Sequence, residues 1–199
     1  MGTAILVVTV LVLIWSIYTG YSQNKEIGKF TQPAPVELGA TYRDANAVVA
    51  IRNQIREFGK QSVLGAAPTI SLSVEDLNDL IGHEDRLIDF RKMLAFTKIG
   101  ETIEARIALP LQTIFEGGKF RYLNGTIHFQ PLVEESQPML KIVAIDPDEG
   151  GEVAEGFLNY LSSNYNFLAQ FKEDKQLEPI FQRVKSITMK DGKLIVQSE

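Results

Sequence analysis

Three acidic residues lie close together in the sequence and could do acid–base chemistry or hold a metal ion: Glu75, Asp76 and Asp79. They follow Ser73, a residue type that is favoured at the N-cap of a helix. Glu75 and Asp76 would then fall in the first helical turn, where the helix dipole stabilises carboxylates without any chemistry. The pattern favours a solvated first turn over an acid–base or metal site.

A second acidic stretch, Asp146 to Glu152 (DPDEGGE), matches part of a calcium-binding loop. Such a loop ends in a bidentate glutamate, but Phe157 stands at that position, and Pro147 disturbs the start. We therefore expect an ordinary turn here. The two histidines, His83 and His128, lack the spacing of a zinc motif.

Sequence motifs of the common catalytic families are missing: there is no GxSxG elbow, no Walker loop and no GxGxxG. The chain has no cysteine, which excludes disulfides, thiolate metal sites and a cysteine nucleophile. Its net charge of −5 argues against a nucleic-acid partner, which would need a basic face. We expect a non-enzymatic protein with no cofactor and no bound metal.

The N-terminal part of the chain, residues 1–24, carries no charged side chain and is strongly apolar. About 20 apolar residues are enough to cross a bilayer as a helix. Trp15 and Tyr18 lie at the end of this run, where aromatic rings favour the headgroup layer. We predict a single-pass transmembrane anchor over residues 1–22, with membrane contact through residues 3–19.

A cleaved signal peptide is the alternative, because Gly20 and Ser22 provide small residues for a cleavage site. The length of the apolar run, with no lysine or arginine before it, favours the uncleaved anchor. Lys25 and Lys29 follow the run and give a weak indication of a cytoplasmic domain. A short anchor before one globular domain is more typical of export, so we predict an extracytoplasmic domain, periplasmic or at the cell surface.

The anchor is followed by a predicted linker over residues 23–40. Pro33 and Pro35 favour extended polyproline II geometry, which would hold the domain off the bilayer. The remaining residues, 41–199, are expected to form one globular domain. The hydrophobic content of 45% and the charged content of 23% are ordinary for such a domain.

The first helix of this domain is predicted from Thr41 to Phe58, with Arg52 and Arg56 away from its apolar face. That face could contact a partner or a membrane, or it could pack on the domain's own sheet; such stripes usually pack inward. The face is made of Ala45, Val48, Ile51, Ile55 and Phe58.

Alternating apolar residues predict a series of antiparallel strands with one buried face. Asn124-Gly125 is either a hairpin turn or a bulge within one long strand, with the turn then at Gly117-Gly118. A further hairpin is predicted around Asp191-Gly192. We expect an α+β fold in which a curved antiparallel sheet packs against two or three helices. The predicted strands are Thr69–Leu72, Met93–Ile99, Thr102–Leu111, Phe120–Val133, Met139–Ile145, Ser186–Met189 and Lys193–Val196.

The apolar inner face of this sheet, together with a helix over Val153–Leu161, is the predicted ligand-binding surface. Ligand binding at this surface requires that the helices fill the space next to the sheet only in part. The candidate binding residues are Ile103, Ile107, Leu109, Ile127, Phe129, Ile142, Phe157 and Leu161.

The stretch Pro68 to Gly82 (PTISLSVEDLNDLIG) contains a short strand that runs through Ser73 into an amphipathic helix. It resembles the opening of small bacterial membrane-anchored domains, some of which are similar to the tubular lipid-binding (TULIP-like) superfamily in element order. The resemblance covers about Ala40 to Ser198. It implies a bent sheet around a helix, an apolar groove, and the binding of a lipid or another hydrophobic ligand. The alternative function is a scaffold or assembly subunit of an envelope complex, with the anchor and the Thr41–Phe58 helix as contact surfaces.

Overall fold

The fold is α+β, with two antiparallel sheets and several helices. The computed structural model describes residues 25–112, 120–134, 137–164 and 178–199. The predicted anchor over residues 1–22 lies outside these ranges. None of the described helices has the length and apolar character that crossing a membrane requires.

Besides the helical residues 25–28, the described residues form four helices, seven strands and a 3₁₀ segment. They are α1 (Ala45–Val63), β1 (Thr69–Leu72), α2 (Val74–His83), the 3₁₀ segment (Asp85–Lys92), β2 (Leu94–Ile99), β3 (Ile103–Gln112), β4 (Phe120–Glu134), β5 (Gln137–Pro147), α3 (Glu155–Asn164), α4 (Glu178–Phe181), β6 (Val184–Lys190) and β7 (Lys193–Ser198). The strands of the larger sheet, β2 to β5, are consecutive in sequence and lie between β1 and the β6–β7 pair of the smaller sheet.

The larger sheet has the order β2-β3-β4-β5, the meander predicted from the alternation of apolar residues. Asn124-Gly125 lies inside β4 and is not a hairpin turn, since β4 pairs with β3 on both sides of it. A side chain at Gly125 would collide with the backbone of Asp146 and Pro147 in β5. Glycine is therefore required here for the close approach of two strands. The predicted turn at Gly117-Gly118 lies outside the described residues.

The smaller sheet has the order β1-β7-β6 and was not predicted as a separate sheet. The hairpin between β6 and β7 turns at Asp191-Gly192, as predicted. Both residues have positive φ, 52° and 72°, which is the conformation of a type I′ turn. Strand β1 pairs with β7 along its whole length, so the first and last of the described strands are neighbours.

The helix boundaries agree with the sequence at α2 and differ at α1. Ser73 and Asp76 form a reciprocal capping box at the start of α2. At α1 the N-cap is Asp44 rather than Thr41, because the Asp44 carboxylate accepts from two backbone N–H groups of the first turn. Alpha1 also continues through Gly59 to Val63, so the predicted Thr41–Phe58 helix is shifted by several residues.

Part of the predicted linker is bound to the larger sheet instead of forming a free spacer. Thr31 is buried, and the Arg121 guanidinium donates to its hydroxyl and carbonyl oxygens at 2.8 and 2.5 Å. Gln32 forms a backbone bridge with Tyr122. The buried Asn124 amide donates to Gln32 Oε1 and to the carbonyl of Ala34. These contacts fix the residues between 30 and 36 at the edge of the domain, so they do not act as an extended spacer.

The domain core lies on the inner face of the larger sheet, where alternating β3 and β4 side chains are almost completely excluded from solvent. Ile103, Ala105 and Ile107 of β3 are 0% exposed. Phe96 and Phe129 pack against each other with ring centroids 6.4 Å apart. The burial pattern predicted for β3 is confirmed.

We expect Ile107→Asp to lower the free energy of unfolding by about 3 kcal/mol or more, since it buries an unpaired carboxylate. Val143→Asp, at a position of β5 that is 43% exposed, is the matched control and should cost about 1 kcal/mol or less. Urea unfolding of the two variants measures the difference. Equal losses would contradict the assigned inner face.

Candidate functional site: an apolar groove with a basic rim

A groove of about 880 Å³ opens between α1, α2 and the smaller sheet. Its volume falls within the range of ~300–1,000 Å³ that is usual for small-molecule sites. A second, smaller cavity of about 180 Å³ lies beside α2 and is lined in part by Leu38, Thr41 and Asn78. Only the larger cavity has the size and the apolar lining of a ligand site.

The floor of the groove is the inward face of the smaller sheet, because alternate residues of each strand point to the same side. Helix α1 forms one wall, and α2 with the 3₁₀ segment forms the other. Alpha4 and the start of β5 close the ends. The apolar side chains that line it include Ile55, Phe58, Val63, Leu64, Ile70, Leu72, Leu77, Leu80, Leu87, Phe96, Leu140, Ile180, Phe181, Val184, Ile187, Leu194 and Val196.

The contact between α1 and α4 depends on Gly59. A side chain at this position would meet the end of the Ile180 side chain of α4, so Ile180 would have to shift to make room for it. The Arg183 guanidinium, just after α4, donates to the carbonyl of Ser62 at 3.2 Å. Gly59 lies beyond the Phe58 end predicted for the helix, at the point where α1 packs against α4.

The rim of the groove is basic. Arg52, Arg56 and Lys60 follow one another at intervals of four along α1, which places them on one side of the helix. Arg86 of the 3₁₀ segment also lines the groove, with Glu84 as the acidic residue among the described lining side chains. The four-residue spacing of these cations is visible in the sequence, but the binding residues were predicted from apolar positions alone.

The eight predicted binding residues lie together, but in the closed core and not in the groove. Seven of them are buried, with Ile103, Ile107 and Leu161 completely so, and Phe157 is half-buried against the same core. None of the eight lines the groove. Alternation correctly indicated that they face inward, but it could not show that this face is already covered. Their role as ligand contacts stays a prediction.

The acidic side chains Asp76 and Asp79 of α2 bind Arg43 and so hold the start of α1 in place. Asp79 is 0% exposed and accepts from the backbone N–H of Arg43 at 2.7 Å and from its guanidinium at 2.5 Å. The same guanidinium donates to Asp76 at 2.6 Å. The interpretation as a solvated first turn fits Glu75, which is exposed, but not Asp79. This cluster ties the residue before the α1 N-cap to α2.

A chain of polar groups crosses the larger sheet, with a hydroxyl, an imidazole and a carboxylate in sequence. Thr102 Oγ1 lies 3.2 Å from His128 Nδ1, and His128 Nε2 lies 2.9 Å from Asp146 Oδ2. These residue types also form the triads of covalent hydrolases. None of the three residues lines the groove or the smaller cavity. Their contacts link β4 to β5 and to the residue before β3.

Arg106 and Asp148 form a paired bridge on the same side of this sheet. The Arg106 guanidinium donates to both oxygens of Asp148, at 2.7 and 2.6 Å. These hydrogen bonds lower the pKa of the Asp148 carboxyl and raise the pKa of Arg106. Asp146 and Asp148, the residues that suggested a calcium loop, are thus both used in contacts within the domain.

Comparisons with protein-family models, curated proteins and solved structures give no match to this chain.

We expect the Arg106–Asp148 pair to stabilise the fold only while Asp148 is ionised. Its pKa is depressed in the folded state, so the stabilisation is complete above the unfolded pKa of about 4 and is lost as the pH falls through the folded value. At neutral pH, the free energy of unfolding of Arg106→Gln, measured by urea unfolding, should therefore be lower than that of the parent by about 0.5–1 kcal/mol. The gap should shrink below about pH 4. A gap that stays constant over this range would contradict the assignment.

Proposed function

We propose that this domain is a non-enzymatic module that binds a lipid or another hydrophobic ligand in the apolar groove. The predicted anchor over residues 1–22 would hold it at a membrane, with the domain on the extracytoplasmic side. The observation that carries the proposal is the groove itself. Its volume of about 880 Å³ suits a small molecule, and its lining is mostly aliphatic and aromatic.

The exposure of apolar side chains at the groove supports a ligand. Val63 and Leu64, at the C-terminal end of α1, are 54% and 84% exposed. Burial of apolar surface is favourable by about 25 cal/mol for each Å², and a surface left in water does not gain this free energy. A ligand with a long hydrocarbon part would recover this free energy by covering both the groove walls and these two residues.

The alternative function, a scaffold or assembly subunit, has less support. Its contact surfaces were the predicted anchor, which lies outside the described residues, and the Thr41–Phe58 helix with its apolar face. Val48, Ile51 and Phe58 of that face are buried within the domain, with exposures of 1%, 3% and 6%. The exposed apolar residue of α1 that lines the groove is Val63.

We expect the full-length chain, reconstituted in nanodiscs of zwitterionic phospholipid, to be labelled by a photoreactive long-chain alcohol at groove peptides. Labelling should be saturable and should be competed by the unlabelled alcohol. Val196→Phe narrows the groove from its floor and should weaken binding about tenfold, since overpacking costs ~1–3 kcal/mol. Peptide mapping by mass spectrometry locates the label.

Val143→Phe is the matched control, because it makes the same change at an exposed position outside the groove. It should leave labelling unchanged. Ala105→Phe, in the filled core, should instead lower the melting temperature. Labelling that does not saturate, or that is the same in Val196→Phe, would contradict ligand binding in the groove.

A further inference from the structure

The basic stripe on α1 lowers the stability of this helix. Arg52, Arg56 and Lys60 carry like charges at intervals of four residues, an arrangement that destabilises an isolated helix. Arg52 offsets part of this through an ion pair with Glu84 at 2.5 Å. Arg56 and Lys60 form no ion pair with an acidic side chain among the described residues, so a ligand could offset their repulsion.

Arg56 and Lys60 have no acidic partner in the part of the chain that the structure describes. Arg56 donates only to the neutral amide oxygen of Asn53, at 3.2 Å. Lys60 forms no ion pair with a described residue. Both side chains are exposed, and both line the groove. They can bind a charged group at the mouth of the groove without giving up an ion pair to a described residue.

This basic rim contrasts with the chain as a whole. The net charge is −5, yet the described charged residues that line the groove are four basic ones and a single acidic one. Walls of low dielectric strengthen the field of such a cluster at the mouth of the groove. The groove therefore combines an apolar interior with a positive entrance, which is complementary to an anionic amphiphile.

We propose that the ligand is a single-chain lipid with an anionic carboxylate head, such as a long-chain fatty acid, whose head is bound by Arg56 and Lys60. This rests on the proposed function, since the acyl chain occupies the same groove. The inference adds the charge and the orientation of the ligand. The guanidinium can bind both carboxylate oxygens, and the ammonium adds a second charge. A single-chain ligand is consistent with a cavity of ordinary small-molecule size.

The test uses the same full-length chain in nanodiscs and compares two photoreactive probes of equal length, a fatty acid and the corresponding alcohol. The double variant Arg56→Gln with Lys60→Gln keeps two good helix formers. It should bind the fatty acid at least about fivefold more weakly, while binding of the alcohol stays unchanged. Raising the salt to about 1 M should reduce the preference for the acid in the parent, because screening shortens the Debye length to about 3 Å.

Lys141→Gln with Lys193→Gln removes the same number of charges from exposed positions outside the groove and is the control. It should leave both probes unaffected. Equal loss of the acid in the rim and control variants, or no loss in either, would overturn the inference while labelling by the alcohol still supports the groove. Competition by anionic phospholipid in the nanodisc, but not by free fatty acid, would also overturn it. Absence of labelling by either probe would instead contradict the proposed function.

Discussion

The buried carboxylate of Asp79 is the interaction on which the placement of the two groove helices depends. A charge that is removed from water must be paired, because leaving it alone costs several kcal/mol. Arg43 pairs it through both its backbone N–H and its side chain, and it lies directly before the Asp44 N-cap of α1. The first turn of α1 therefore cannot move away from α2 without exposing or orphaning this charge.

The opposite end of α1 is fixed by a different kind of contact. Gly59 brings the helix against Ile180, and Arg183 binds the carbonyl of Ser62. A helix that is held at both ends cannot collapse freely onto the sheet beneath it. The side chains between these ends, including Ile55, line a space that the described residues leave open.

Local sequence signals predicted the elements well where a few neighbouring residues decide the structure. The Ser73 N-cap and the Asp191-Gly192 turn are both of this kind. Contacts between distant residues decided the features that were missed. Asn124-Gly125 could not be assigned from its neighbours because its role is set by residues 30–36 and by β5. In the same way, alternation showed which face of β3 is buried but not which sheet keeps an open space. The groove lies between α1, α2 and a sheet formed by both ends of the domain, which no window of sequence contains.

The net charge of a chain describes its groove poorly when charges of one sign are paired within the domain. Asp76 and Asp79 are bound by Arg43, and Asp148 is bound by Arg106. These carboxylates make up part of the acidic excess, but each is already engaged in an ion pair that links two parts of the domain. The cations at the groove have a different status, since Arg56 and Lys60 face solvent without a described acidic partner. Several carboxylates and arginines thus hold the helices and strands in place, while Arg56 and Lys60 are left at the entrance of the groove. A ligand would experience the second set, and so an acidic protein can present a positive entrance to it.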